Sequence, residues 1–163
     1  MKQLYIKQKV FSLSGKFTVK NQLEQDVYYV EGSFMRIPKT FSIMNTSGDE
    51  VAQITKKVFS VLPKFFVEVY GQEVLTIKKE FSFLKARYTI DSADIEVLGN
   101  WWDMDFQVFQ YGVVIGQVNK EWFTWGDSYK VQIMNEEMEA IMIAIVVAID
   151  CVKADHASAA SQQ

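Results

Sequence analysis

One cysteine, Cys151, and one histidine, His156, are the chain's entire supply of thiol and imidazole. A Cys–His dyad needs the imidazole within hydrogen-bond reach of the sulfur. Cys151 instead closes a strongly apolar run, where a thiol is ordinarily inert packing. His156 stands in residues 154–163, a small, polar stretch read as a disordered tail. The same two counts exclude an intramolecular disulfide, a multi-Cys or multi-His metal site and a two-Cys redox pair. Carboxylates form two groups, Asp91/Asp94/Glu96 and Asp103/Asp105, and either could hold a hard cation such as Ca²⁺. Neither has the EF-hand spacing, so both read as solvated turn acids. No phosphate-binding glycine loop, dinucleotide fingerprint or serine-triad signature is present. The residues therefore lead us to expect no catalytic group, no metal and no cofactor.

Binding chemistry has more behind it. Lys56-Lys57 and Lys78-Lys79 stand at matching positions, each pair just ahead of an aromatic-Ser phrase. Adjacent residues on a strand point to opposite faces, so each pair offers one outward charge and one near a rim. An anionic membrane adds about 1 kcal/mol per nearby lysine, so four give about 4 kcal/mol, a Kd near 1 mM. Stable attachment would need an aromatic anchor or a headgroup pocket as well. The competing reading is that these lysines protect strand edges from aggregation. All four tryptophans, Trp101, Trp102, Trp122 and Trp125, fall within 25 positions. They are read either as lining one mouth of the fold or as packing in its core.

The elements that must carry these residues are mostly strands. The chain has 163 residues, 49% hydrophobic and 23% charged, which suits a single globular domain. Turn signals such as Ser47-Gly48-Asp49, Gly71-Gln72 and Tyr111-Gly112 punctuate about twelve β-rich segments between residues 2 and 134. Several alternate with period two: Leu75/Ile77/Phe81/Phe83 against Thr76/Lys78/Glu80/Ser82, and Tyr129/Val131/Ile133 against Lys130/Gln132. The apolar set is expected inward, as a half-buried antiparallel sheet requires. The N-terminal residues, broken by charges, read as a first strand rather than a signal peptide. A phrase recurs as Lys57-Val58-Phe59-Ser60-Val61 and Lys79-Glu80-Phe81-Ser82-Phe83, reflecting shared hairpin geometry or a shared role at hairpin tips.

From Asn135 the pattern changes. Asn135 suits an N-cap, with Glu136, Glu137 and Glu139 in the first turn. Ten apolar residues follow, from Ala140 to Ile149, with no polar face. Such a helix is either buried on every side or in lipid. Ten residues rise about 15 Å against the roughly 30 Å of a bilayer core, so burial wins. We expect a helix over about 136–153 threaded through, or fully covered by, the sheet of one domain spanning residues 1–153, whose hairpins suit a sandwich or, since twelve antiparallel strands can close, a closed barrel. A barrel of that size has room for more than its own side chains.

Twelve strands followed by one apolar C-terminal helix resembles the tubby C-terminal-like superfamily. More narrowly, the chain is similar to the LURP-one-related (LOR) family and its bacterial YxjI-type members. The matching phrases are Leu4-Tyr5-Ile6-Lys7-Gln8-Lys9, Asp26-Val27-Tyr28-Tyr29-Val30-Glu31-Gly32, Leu62-Pro63-Lys64-Phe65, Trp122-Phe123-Thr124-Trp125-Gly126-Asp127-Ser128-Tyr129 and Ala148-Ile149-Asp150-Cys151-Val152. The resemblance implies a closed barrel around a central helix, with phosphoinositide-binding tubby proteins and phospholipid scramblases as relatives. No ligand residue of those relatives aligns here. The expected function is a non-enzymatic, cytoplasmic binding module that associates peripherally with anionic phospholipid or phosphoinositide. The alternatives are a regulatory protein that binds a protein partner, and a scramblase-like protein anchored by its helix. Net charge is −3, giving no basic field for nucleic acid. It hides an asymmetry: residues 1–90 hold 14 Lys/Arg and 8 Asp/Glu, residues 91–163 hold 3 and 12.

Overall fold

A computed structural model describes residues 1–7, 16–33, 39–57, 59–83, 87–123 and 126–161. The strands are β1 (Lys2–Lys7), β2 (Lys16–Asn21), β3 (Asp26–Gly32), β4 (Thr40–Asn45), β5 (Glu50–Lys56), β6 (Lys64–Val69), β7 (Gln72–Glu80), β8 (Arg87–Asp91), β9 (Ile95–Asn100), β10 (Asp105–Gln110), β11 (Val113–Phe123) and β12 (Gly126–Ile133). Helix α1 (Glu139–Ser161) follows. Consecutive strands pair antiparallel except β8 with β9 among the described residues, and β1 pairs with β12 from Lys2↔Ile133 to Lys7↔Ser128. That last ladder curls the meander round.

The expected closed barrel is nearly closed. The order runs β8-β7-β6-β5-β4-β3-β2-β1-β12-β11-β10-β9, and no ladder joins β8 to β9 among the described residues. These two strands are sequence neighbours linked by only Ser92, Ala93 and Asp94, yet they form the two edges of a seam. Ser92 explains part of this. Its hydroxyl donates to the Val74 carbonyl at 2.7 Å and accepts from the Ile95 amide at 3.1 Å, so the link holds to β7 and to its own turn.

The helix fills the lumen. Residues 142–152 are buried without a break, facing inward strand residues such as Leu4, Ile54, Phe65, Val67, Ile77, Val118 and Val131. Burial on every side is why the run has no polar face. Gly116 on β11 marks the tightest approach. A Cβ there would collide with the Met142 thioether and stand 2.8 Å from the Gln132 carbonyl oxygen.

Polar contacts fix the helix along the barrel axis. At the entry end, Lys2 pairs with Glu139 at 2.7 Å, and the Tyr28 hydroxyl donates to the same carboxylate at 2.8 Å. Burial, with that carboxylate second, pushes the Tyr28 phenol well above its usual range. Midway, the Tyr129 hydroxyl donates to Asp150 Oδ1 at 3.2 Å. Near the exit, Lys56 pairs with Asp155 at 2.6 Å.

One expectation about the C-terminus is corrected. The helix begins its α-helical part at Glu139, after a 3-10 turn over Glu136–Met138 capped by Asn135, whose side chain accepts from the Glu137 amide at 3.1 Å. It also runs on to Ser161, so residues 154–161, expected as disordered tail, are helical. Alanine at 154, 157, 159 and 160 has the highest helix propensity, and no Gly or Pro stops the propagation. Asp155 and His156 then dock the first of these residues on the barrel.

Candidate functional site

Odd-numbered strands end and even-numbered strands begin at the rim where α1 exits, while even-numbered strands end and odd-numbered strands begin at the rim where it enters. The two rims differ in composition. At the entry rim, Tyr70-Gly71 and Tyr111-Gly112 are two-residue turns with φ of 49°/76° and 49°/78°. Positive φ at both central positions matches the twist of a hairpin. The entry-rim links carry acids and no Lys or Arg: Glu24 in 21–25, Asp49 in 46–49, Asp94 in 92–94, and Glu136 and Glu137 in 134–138.

The exit rim is where the β5, β6, β7 and β8 ends gather basic and aromatic residues. Lys57 is exposed just past β5, and its amide donates to the Lys64 carbonyl at 2.8 Å. Lys64 sits directly opposite Lys78 on the outer face, with its ammonium 5.6 Å from the Phe66 ring centre. The Lys79 amide donates to the Pro63 carbonyl at 2.9 Å, tying the two connections together. Arg87 is exposed at the start of β8.

Beyond these charges stand large apolar side chains in water. Phe59 is 94% exposed, Val61 99%, Phe81 74% and Phe83 93%. Phe81 and Phe83 meet edge to face, 5.3 Å between centres. The alternation reading expected both on the inner face with Leu75 and Ile77, and that is corrected. Leu75 and Ile77 are buried, but β7 ends at Glu80, so Phe81 and Phe83 lie past the strand on the rim. Isolated exposed apolar residues are common, but four at adjacent tips beside lysines form a patch. The entry rim also exposes Leu23, Tyr70 and Tyr111, there among carboxylates.

The lysines expected at a lipid surface are all at this rim but are differently disposed. Lys56 turns toward the lumen and is held by Asp155, with side-chain exposures of 28% and 14%. Lys57 is exposed and Lys79 half-buried. Lys78 faces out, 3.3 Å from Asp91. Parity therefore gave one inward and one outward lysine per pair, as adjacent strand positions must.

Trp101, Trp102 and Trp122 stand at the same end. Trp101 and Trp102 lie in a 3-10 turn over Trp101–Asp103, after β9. Their rings pack 5.7 Å apart, and Trp102 stacks on Tyr88 of β8 at 5.2 Å. His156 meets both Tyr88 and Trp102 edge-on at 5.9 and 5.6 Å, with Nδ1 3.5 Å from the Tyr88 hydroxyl oxygen. Tyr88 and Trp102 come from the two sides of the seam, so this cluster bridges strands that share no ladder. Burial pushes the Tyr88 phenol up, with Asp155 contributing. Trp122 is the penultimate residue of β11, at the same rim. Trp125 lies outside the described residues.

Asp91, Asp94, Asp103 and Asp105, among the carboxylates considered as cation ligands, have protein partners, Asp91 beside Lys78. Asp94 accepts from Gln110 at 2.9 Å, Asp103 from the Asn100 side chain at 2.6 Å, and Asp105 from Asn119 at 2.8 Å. Cys151 is buried, and desolvation raises its thiol well above the usual range, the opposite of an activated nucleophile. Sequence reasoning raised a shared role at the hairpin tips but did not single out Phe59, Val61, Phe81, Phe83 and Lys64 as a surface. The recurring Lys-x-Phe-Ser phrase was their signal.

A twelve-stranded meander wound once round an apolar C-terminal helix defines the class. The LURP-one-related family model matches residues 2–150, and the chain belongs to that family. Among curated proteins it is 33% identical over 152 residues to the uncharacterized protein YxjI of Bacillus subtilis, covering 93% of this chain and 94% of that one. Among solved structures it is similar to a protein from Arabidopsis thaliana, with a TM-score of 0.55 and 14% identity over 92% of this chain and 91% of the other. That last likeness concerns the fold.

Proposed function

We propose that the protein is a non-enzymatic module that docks peripherally, from the cytoplasmic side, on anionic phospholipid through the exit rim. The observation that carries this is the coincidence of Phe59, Val61, Phe81 and Phe83 with Lys57, Lys64 and Lys79 at one end of the barrel. Lysines alone fall short of stable attachment. Burying an exposed Phe fully is worth about 2 kcal/mol, so three half-inserted rings add about 3 kcal/mol. Three lysines add about 3 more. The sum, about 6 kcal/mol, corresponds to a Kd of tens of micromolar. Charge selects the orientation, because an anionic surface repels the acidic entry rim.

Among the described residues no helix is long and apolar enough to cross a membrane, and α1 is enclosed by strands. Docking by rim loops needs no such helix. Trp101 and Trp102 are engaged with each other, Tyr88 and His156, which leaves the Trp-rich end less to offer a protein partner.

Flotation with phosphatidylcholine vesicles, with and without phosphatidylserine, tests the proposal. Expected is flotation with the anionic vesicles that falls as salt rises from 0.05 to 0.5 M on the order of several-fold, because screening shortens the reach of each lysine. Equal recovery on both vesicle types, or none on either, would remove the reading.

A further inference from the structure

Lys56 is a rim lysine that an anionic surface finds already held by the helix. It ends β5, one residue before exposed Lys57, yet its ammonium is held at 2.6 Å by Asp155 of α1. The same helical turn carries His156, which is seated against Tyr88 and Trp102 across the seam. Past it, residues 157–161 are exposed, small and uncharged, with no other side-chain hold on the barrel among the described contacts.

We infer that the exit end of α1 is an electrostatic mask on the membrane-facing rim. Asp155 neutralises Lys56 in the free protein, and an anionic headgroup layer competes with Asp155 for it. The inference rests on the rim reading and adds its regulation. A partly exposed ion pair holds an ammonium no more strongly than a phospholipid surface does, so the exchange is close to balanced. Linkage makes it reciprocal: whatever loosens the helix end strengthens docking, and docking loosens the helix end. Tyr88, Trp102 and His156 oppose release by keeping the turn seated, which sets the mask as the resting state.

A double-mutant cycle on anionic vesicles tests this, reading the partition coefficient of the full chain. Asp155→Asn is expected to raise partition about fivefold, the worth of one added lysine at such a surface. Lys56→Met by itself lowers it less than twofold, and Lys56→Met/Asp155→Asn loses the gain. Asp155→Glu, keeping the charge, stays near the wild-type value. A gain that survives in the Lys56→Met background is a general effect of net charge and overturns the mask. So does an Asp155→Asn value equal to the wild type while the wild type binds. If neither wild type nor Asp155→Asn partitions, the rim reading itself fails, and the mask with it. Thermal unfolding followed by circular dichroism confirms that each variant is folded before its partition is read.

Discussion

Serine at Phe59, Phe81 and Phe83 together is expected to lower partition onto phosphatidylserine-containing vesicles about 100-fold while leaving the barrel intact. The size follows from roughly 1 kcal/mol lost for each half-inserted ring, about 3 kcal/mol in all. The specificity follows from exposure. At 74–94% exposed, these rings contribute little to the core, and exposed substitutions usually shift stability by about 0.5 kcal/mol or less. Polar replacements on the entry rim, at Leu23 and Tyr70, serve as the contrast. Both residues are exposed to similar degrees, 76% and 71%, but stand among carboxylates. Their loss should leave partition unchanged. A triple variant that binds like the wild type would show the exposed rings to be incidental.

The second large effect is expected inside the barrel. Asp150 is 7% exposed, and its Oδ2 has no hydrogen-bond partner while Oδ1 accepts from Tyr129. Desolvation raises its pKa to about 6, against lowering contributions from Lys153 and the Tyr129 hydroxyl. The unfolded value is 3.8. A carboxyl whose folded pKa lies above its unfolded one binds its proton more tightly when folded. Its burial is therefore tolerated below about pH 4, and stability falls as pH rises from about 4 to 6, then levels off. Two units correspond to about 3 kcal/mol. Asp150→Asn should abolish that fall and stabilise the protein at pH 7.5 by about 1–3 kcal/mol. The lower figure applies if the new amide leaves a buried donor unpaired. Urea unfolding of both proteins at pH 4.5 and 7.5 measures it, and the difference between them isolates Asp150 from other titrating groups. Equal pH dependence in both would mean that Asp150 is solvated or paired in solution.

Why an ionisable group sits there has a structural answer. The helix is so uniformly apolar that hydrophobic burial alone sets neither its rotation nor its depth. The Tyr129–Asp150 hydrogen bond and the Glu139 and Asp155 ion pairs supply three fixed points along about 24 Å of helix.

Much of this architecture was legible in the chain because it rests on period. Tyr129/Val131/Ile133 alternate and are buried as alternation requires, and the ten-residue apolar run, short for a bilayer, is a covered helix. Where strands and helix stop was less visible. Alternation continues through Phe81 and Phe83, so the sequence does not mark Glu80 as the last paired residue; the β7–β8 register does. Residues 154–161 carry no apolar period, and their helix depends on propensity and on Asp155 and His156 finding partners about 70 to 100 positions away. The seam is a ladder absent among the described residues between sequence neighbours, which no local pattern encodes. Charge shows the same division. The first half of the chain is basic and the second acidic, while the entry-rim links 21–25, 46–49, 92–94 and 134–138 carry acids and no Lys or Arg.

The central claim is the orientation of the barrel on a bilayer, and site-directed spin labelling reads it directly. The sole native thiol, Cys151, is 2% exposed with its pKa pushed up, so label goes to an introduced cysteine. With Val61→Cys and Leu23→Cys labelled separately, anionic vesicles should shield the nitroxide at 61 from an aqueous relaxation agent and open it to lipid-dissolved oxygen. The label at 23 should remain fully aqueous. A label at 23 that enters lipid while the one at 61 stays in water would contradict the account.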